Sequence, residues 1–212
     1  MASPLSPPPS PRKEPVQRRS RASVEAIHEA TIQVLLAQGS ESLTTTRVAE
    51  RAGVSVGTLY QYFPNKQALL YAALGRHLSW VFQELATVVR DCEGQQLRVM
   101  LPRLVDAYLD AKLSRLAEAK ALNGIASDTA SLALLRDSSV QIEGMIENVL
   151  ATAQDVELED TGLASKMFAL TLSSVSRALI ERECDREGAN AIGKELARML
   201  VSYLRDRAGP RG

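Results

Sequence analysis

From Ala22 onward, apolar residues return at three- and four-residue steps. Val24, Ile27, Thr31, Val34 and Leu35 form one stripe, the spacing of a helix face. This predicts a first helix over about Ser23–Gln38, stopped by Gly39. Thr44, a good N-cap, opens a short second helix that ends at Ala52 with Gly53 beyond it. A third runs from Ser55 to about Tyr62. Pro64 then interrupts, and Asn65 caps a long fourth helix to about Asp91, with Phe63 placed to pack back on Leu69. Softer breaks divide the rest into helices at about 95–113, 115–126, 130–153, 159–184 and 189–206. No strand-like alternation is flanked by turn signals. The expected fold is all-α: a three-helix head at 18–66 and a helical body at 67–212. Residues 1–17 hold six of the nine prolines and are expected to be a disordered tail.

Composition changes this picture little. The chain is 45% hydrophobic and 24% charged, with only 4% aromatics, as suits a helical globular protein. The start resembles no secretory leader, and no apolar run reads as a membrane span, so the expectation is a cytoplasmic protein. Cys92 and Cys184 form no metal or redox spacing and are expected as reduced thiols. Net charge is zero, but residues 1–76 hold nine Lys+Arg against five acids, a surplus of four positive charges that the remainder balances. A basic head on an acidic body fits nucleic-acid binding by the head.

The segment from Leu43 to Phe63 carries the chemistry. Ala49 sits where the second helix must approach the third closely. Gly53 can take the left-handed conformation that ends one helix and aims the next. Val48, Ala52, Val54, Leu59 and Tyr62 are spaced to fill the wedge between them. This is the logic of a helix-turn-helix. The outward positions of the third helix are then Ser55, Val56, Gly57, Thr58, Tyr60 and Gln61, small or polar. Gly57 inside a helix costs up to about 1 kcal/mol against Ala. Close approach of a nucleic-acid backbone accounts for it better than packing does. Helix amides and hydroxyls suit phosphates, while Val56, Thr58 and Gln61 suit base edges or thymine methyls. The candidate DNA-binding set is Thr44, Thr45, Thr46, Arg47, Ser55, Val56, Gly57, Thr58, Tyr60, Gln61, Tyr62 and Lys66.

The stretch from Ser23 to Leu74 resembles the DNA-binding domain of the TetR family of regulators. The turn Ala49-Glu50-Arg51-Ala52-Gly53-Val54-Ser55 carries the resemblance, with the block Gly57-Thr58-Leu59-Tyr60-Gln61-Tyr62-Phe63-Pro64-Asn65-Lys66-Gln67-Ala68-Leu69. It implies a ligand-responsive transcriptional regulator, usually a repressor, that is released from a palindromic double-stranded operator by a small-molecule effector. It also implies a homodimer through about 159–184 and 189–206, and a ligand-binding and dimerisation body with a cavity among its middle helices. This reading places Leu196 at the dimer interface.

Other residues carry weaker signals. Arg18, Arg19 and Arg21 fit a flexible arm for the minor groove and a solvated tail equally well. His28 is expected to be an exposed helix residue and His77 a satisfied structural one. Trp80, Phe82, Met100, Tyr108, Met145 and Phe168 fit either core or pocket wall. Arg103, Asn123 and Gln141 are possible polar anchors. No nucleophile motif, paired Cys/His metal set or glycine-rich phosphate loop occurs, so neither an enzyme, a metal site nor a cofactor is expected. The remaining alternative is a binding protein whose helix-turn-helix has lost DNA. Against it, the small, hydroxylated face and basic flanks persist.

Overall fold

The computed structural model describes residues 18–123 and 129–209. The tail assigned to 1–17 therefore lies outside the described residues, as do the side chains of Arg18, Arg19 and Asn123. The described chain forms two compact units.

The first unit runs to His77 and takes in Ala117–Leu135. It contains α1 (Arg18–Ser42), α2 (Thr45–Ala52), α3 (Val56–Tyr62) and the first half of α4 (Lys66–Cys92). It also holds most of α6 (Leu116–Asn123) and the start of α7 (Thr129–Leu150). α1 begins five residues before the expected Ser23. Its regular geometry ends at Gly39, whose φ of 75° and ψ of 171° break the helix where the sequence places a stop. Ile27, Leu43, Val48, Ala49, Leu59, Phe63 and Leu69 are at most 1% exposed and form the core of this small head. Each large aliphatic buried this way contributes about 1.5–3 kcal/mol.

The second unit holds Leu78–Leu116 and Arg136–Gly212. It comprises the rest of α4, α5 (Leu97–Ser114), most of α7, α8 (Thr161–Glu181) and α9 (Arg186–Asp206). Its core joins Leu85, Leu97, Leu101, Leu104, Ile146, Leu172 and Leu204. Two short strands, β1 (Glu157–Leu158) and β2 (Ala208–Gly209), pair antiparallel. At two residues each, they are too short to leave an alternating pattern in the sequence. The Asp160 side chain accepts the Leu163 N–H and caps α8; Asp185 does the same for Gly188 and α9. Among the described residues, α8 is one helix long and apolar enough to cross a membrane by length and composition, a run the sequence reading passed over. Its Phe168, Leu172 and Leu179 are buried in the core of the second unit, while Leu163, Met167 and Leu170 on the same helix are exposed.

Candidate nucleic-acid interface

The head positions its exposed groups through two caps and one tight turn. Thr44 is extended, and its hydroxyl accepts the Arg47 N–H at 3.3 Å, starting α2. Gly53 ends α2 at φ 67°, ψ 28°, a left-handed conformation that costs other residues about 1–2 kcal/mol. The Gly53 and Val54 N–H groups donate to the Glu50 and Ala49 carbonyls at 3.2 and 3.0 Å, which closes the turn. Ser55 then caps α3: its Oγ accepts the Thr58 N–H at 3.0 Å and lies 2.8 Å from Thr58 Oγ1. Thr45 Oγ1 and the Tyr60 hydroxyl sit 3.0 Å apart and tie α2 to α3. At the start of α4, Asn65 Oδ1 accepts the Ala68 N–H at 2.8 Å.

The structure distributes the candidate set unevenly. Thr44, Thr46, Arg47, Ser55, Gly57, Tyr60 and Gln61 are exposed, and Thr45, Val56, Thr58 and Lys66 are partly so. Tyr62 is only 8% exposed and belongs to the buried wedge with Leu59. Arg47 donates to Gln38 Oε1 at 3.0 Å and to the Ser42 carbonyl at 2.7 Å. Lys66 Nζ reaches the Glu41 carbonyl at 3.3 Å. Both cations thus fasten the end of α1, a role no local pattern announces. At Gly57 an added Cβ would meet only Ser55 Oγ, at 3.7 Å. That is ordinary contact, so the fold itself does not require glycine there.

Two histidines differ in their outcome. His28 is half-buried rather than exposed: its ring stands edge-on to Phe63, centroids 5.4 Å apart. It flanks Ile27 at the margin of the apolar stripe, where Phe63 covers it. Its Nδ1 is buried without a hydrogen-bond partner, and burial holds its pKa below the usual value. His77 is 3% exposed, with Nδ1 3.3 Å from Glu118 Oε1 on α6. Nearby, Arg76 pairs with Glu25 on α1.

In the second unit, Met100 and Phe168 are fully buried core residues. Trp80, Phe82 and Met145 pack partly buried against that core, and Arg115 lies over the Trp80 ring at 4.1 Å. Arg103 donates to the Asp91 carbonyl at 3.2 Å and to Gln95 Oε1 at 3.3 Å. Gln141 is exposed. Tyr108 lines a cavity of about 30 Å³ with Ser139, Ile142, Glu143, Ala169, Leu170 and Ser173. A larger groove of about 540 Å³ lies along α5 and α9, between Arg98, Pro102, Asp106, Lys194, Arg198 and Val201. Residue bulk, the signal used to choose the candidates, does not separate core from pocket wall, and the groove residues are mostly charged or small.

The last two helices leave an apolar stripe in solvent: Leu163, Met167 and Leu170 on α8, Ile192 and Met199 on α9. Leu196 does not belong to it. At 5% exposure it packs into the core of its own chain, because α9 turns that position inward, beside Ala197 and Leu200.

Comparison with known proteins agrees with this geometry. Residues 27–73 match the family described as "Bacterial regulatory proteins, tetR family", and residues 96–204 match "Tetracyclin repressor-like, C-terminal domain". The HTH-type transcriptional repressor KstR of Mycobacterium tuberculosis is 31% identical over 143 residues, 66% of this chain and 62% of that protein. KstR of Mycolicibacterium smegmatis is 48% identical over 60 residues, 28% of this chain and 27% of that protein. The chain thus spans less than two thirds of the length of these relatives. Among solved structures, the fatty acid degradation regulator FadR of Bacillus halodurans superimposes with a TM-score of 0.69 at 18% identity, over 89% of this chain and 97% of that one. With both halves matched in order, this chain belongs to the TetR family of bacterial transcriptional regulators.

Proposed function

We propose that the chain is a repressor that binds a palindromic operator as a homodimer and releases it when a small-molecule effector occupies the body. The observation that carries the DNA reading is the exposed face of α3. Ser55, Gly57, Thr58, Tyr60 and Gln61 form a shallow surface of hydroxyl, amide and bare backbone. In this reading the head, 18–66, lays α3 in a major groove. Thr44, Thr46 and Tyr60 meet phosphates, Gln61, Thr58 and Val56 meet base edges, and Lys66 lies at the flank. Two heads would engage half-sites about 34–36 Å apart.

The stripe Leu163, Met167, Leu170, Ile192 and Met199 supports the dimer, since a lone chain gains nothing by exposing five large apolar side chains on two neighbouring helices. The body, 67–212, would take the effector. α4 is one helix whose first part, to His77, lies in one unit and whose remainder lies in the other. It is therefore the covalent path by which effector binding would bias the heads toward or away from operator spacing. The relatives named as repressors favour repression over activation, and a regulator of genomic DNA would work in the cytoplasm. The test is retention of genomic fragments by the purified protein: a shared symmetric sequence among them supports the reading.

A further inference from the structure

The groove along α5 and α9 lies within the second unit and has a volume of about 540 Å³. That falls inside the roughly 300–1,000 Å³ of small-molecule sites. A helix about 10 Å across would fill it in little more than about one turn, too short a stretch to dock a partner's helix. The two elements come close at Gly193, where an added Cβ would meet Leu109 at 3.0 Å and lie 3.8 Å from Asp106 Oδ1. Arg98 precedes Asp106 by eight residues, and Val201 follows Gly193 by eight. Each step is about 12 Å of helix. Since all line one groove, Arg98, Val201 and Ser202 mark one end, and Asp106 and Lys194 the other.

The two ends differ in charge. Lys194 faces the Asp106 carboxylate, which offsets it. Arg98 is exposed, and among the described residues no carboxylate pairs with it; its Nε donates to the neutral Gln96 Oε1 at 2.8 Å. Asp155, which accepts the Leu97 N–H nearby, is held by Arg205. Arg198 gives one amino group to Glu195, at 2.6 Å, which leaves further donors on its five-donor fork. Between the ends, Pro102, Ala197 and Val201 form an apolar floor. A proline in a helix interior removes a backbone hydrogen bond, at about 3 kcal/mol, and Pro102, in the second turn of α5, turns a half-buried ring to this groove.

The groove is also separate from the exposed apolar stripe. Lys194 and Val201 share one face of α9, and Ile192 and Met199 share another, two residues away. Two residues are about 200° of helix rotation, so a dimer made through the stripe would leave the groove open.

We propose that the groove between α5 and α9 binds a small amphipathic anion, its carboxylate or phosphate at the Arg98–Arg198 end and its apolar body on Pro102, Ala197 and Val201. Charge-assisted bonds from the two guanidinium groups would hold the anion, with the Ser202 hydroxyl beside them. Such a site lies wholly in the second unit, and its occupation does not depend on the head engaging DNA.

Calorimetric titration of the full-length protein with octanoate, octyl phosphate, octanol and inorganic phosphate tests this. Octanoate, octyl phosphate or both should bind saturably. Octanol and inorganic phosphate should bind at least about tenfold more weakly, because each lacks one half of the ligand. Octanoate alone would identify a carboxylate end, octyl phosphate alone a phosphate. Arg98→Gln with Arg198→Gln should erase the preference for the anions and leave octanol unchanged, with the helical circular dichroism intact. If that double variant fails to fold, Arg98→Gln alone takes its place. Val201→Glu, which sets a carboxylate on the floor, should also weaken the anions. No saturable binding by either amphipathic anion, equal binding of octanol or inorganic phosphate, or undiminished affinity in the arginine variants overturns the proposal. So does an arginine variant that sediments as a monomer where the parent is a dimer, since the groove would then hold a second copy of the chain.

Discussion

Replacing Gly57 by alanine separates the demands of the fold from those of DNA. In the free protein the new Cβ would lie 3.7 Å from Ser55 Oγ and touch nothing else outside its own helix. Alanine is favoured over glycine within a helix by about 0.5–1 kcal/mol. For a chain of this size that raises Tm by up to about 2–4 °C. On DNA the same Cβ would intrude where the backbone of α3 is closest to the duplex. Overfilling a close contact costs about 1–3 kcal/mol, which corresponds to roughly 5- to 150-fold in Kd. The variant should therefore be slightly more stable and bind its operator distinctly less well. Thermal unfolding and fluorescence anisotropy on a retained genomic duplex read the two effects separately. Undiminished affinity would refute the close approach, and a marked loss of Tm would refute the open space seen around residue 57.

Further outcomes are expected at the caps, the exposed apolar stripe of α8 and α9, and the half-buried His28. Ser55→Ala should lose about 1 kcal/mol of stability with the cap, whereas Ser55→Asp should keep the cap and still bind DNA less well, because its carboxylate faces phosphate; thermal melts beside gel shifts distinguish the two. Tyr60→Ala should weaken operator binding in the same gel shifts while the far-ultraviolet circular dichroism stays helical. Leu170→Glu with Met199→Glu should give folded monomers by sedimentation, while Leu196→Glu should fail to fold because it buries a charge in the core. His28 has a folded pKa below its unfolded value, so the unfolded chain binds the extra proton first. Stability should fall as pH drops below about 6.5, and this slope should be shallower in His28→Leu when unfolding is followed across pH 5–7.

The head was legible because its signals are local. Thr44, Ser55 and Asn65 cap their own helices, and Gly53 needs only its own φ, so type and spacing in the sequence suffice. The long helices of the body were placed within a few residues for the same reason. What sequence could not provide depends on tertiary burial. His28 sits at the edge of its helix stripe, and only the distant Phe63 decides that it is covered. Leu196 belongs to an amphipathic helix with two apolar flanks, and periodicity does not say which flank faces its own core. Arg47 and Lys66 look like free cations in the sequence, but each reaches a backbone carbonyl near the end of α1.

The central claim is that the surface around Gly57, Thr58 and Tyr60 enters duplex DNA twice per symmetric assembly. Hydroxyl-radical footprinting on a retained genomic fragment, at low ionic strength and without added metabolite, tests it most directly. The account predicts two equivalent protected tracts, centred about one helical turn or a multiple apart, which vanish together in Tyr60→Ala. Protein that is folded yet protects no tract over random competitor DNA, or protects a single unpaired one, would contradict it.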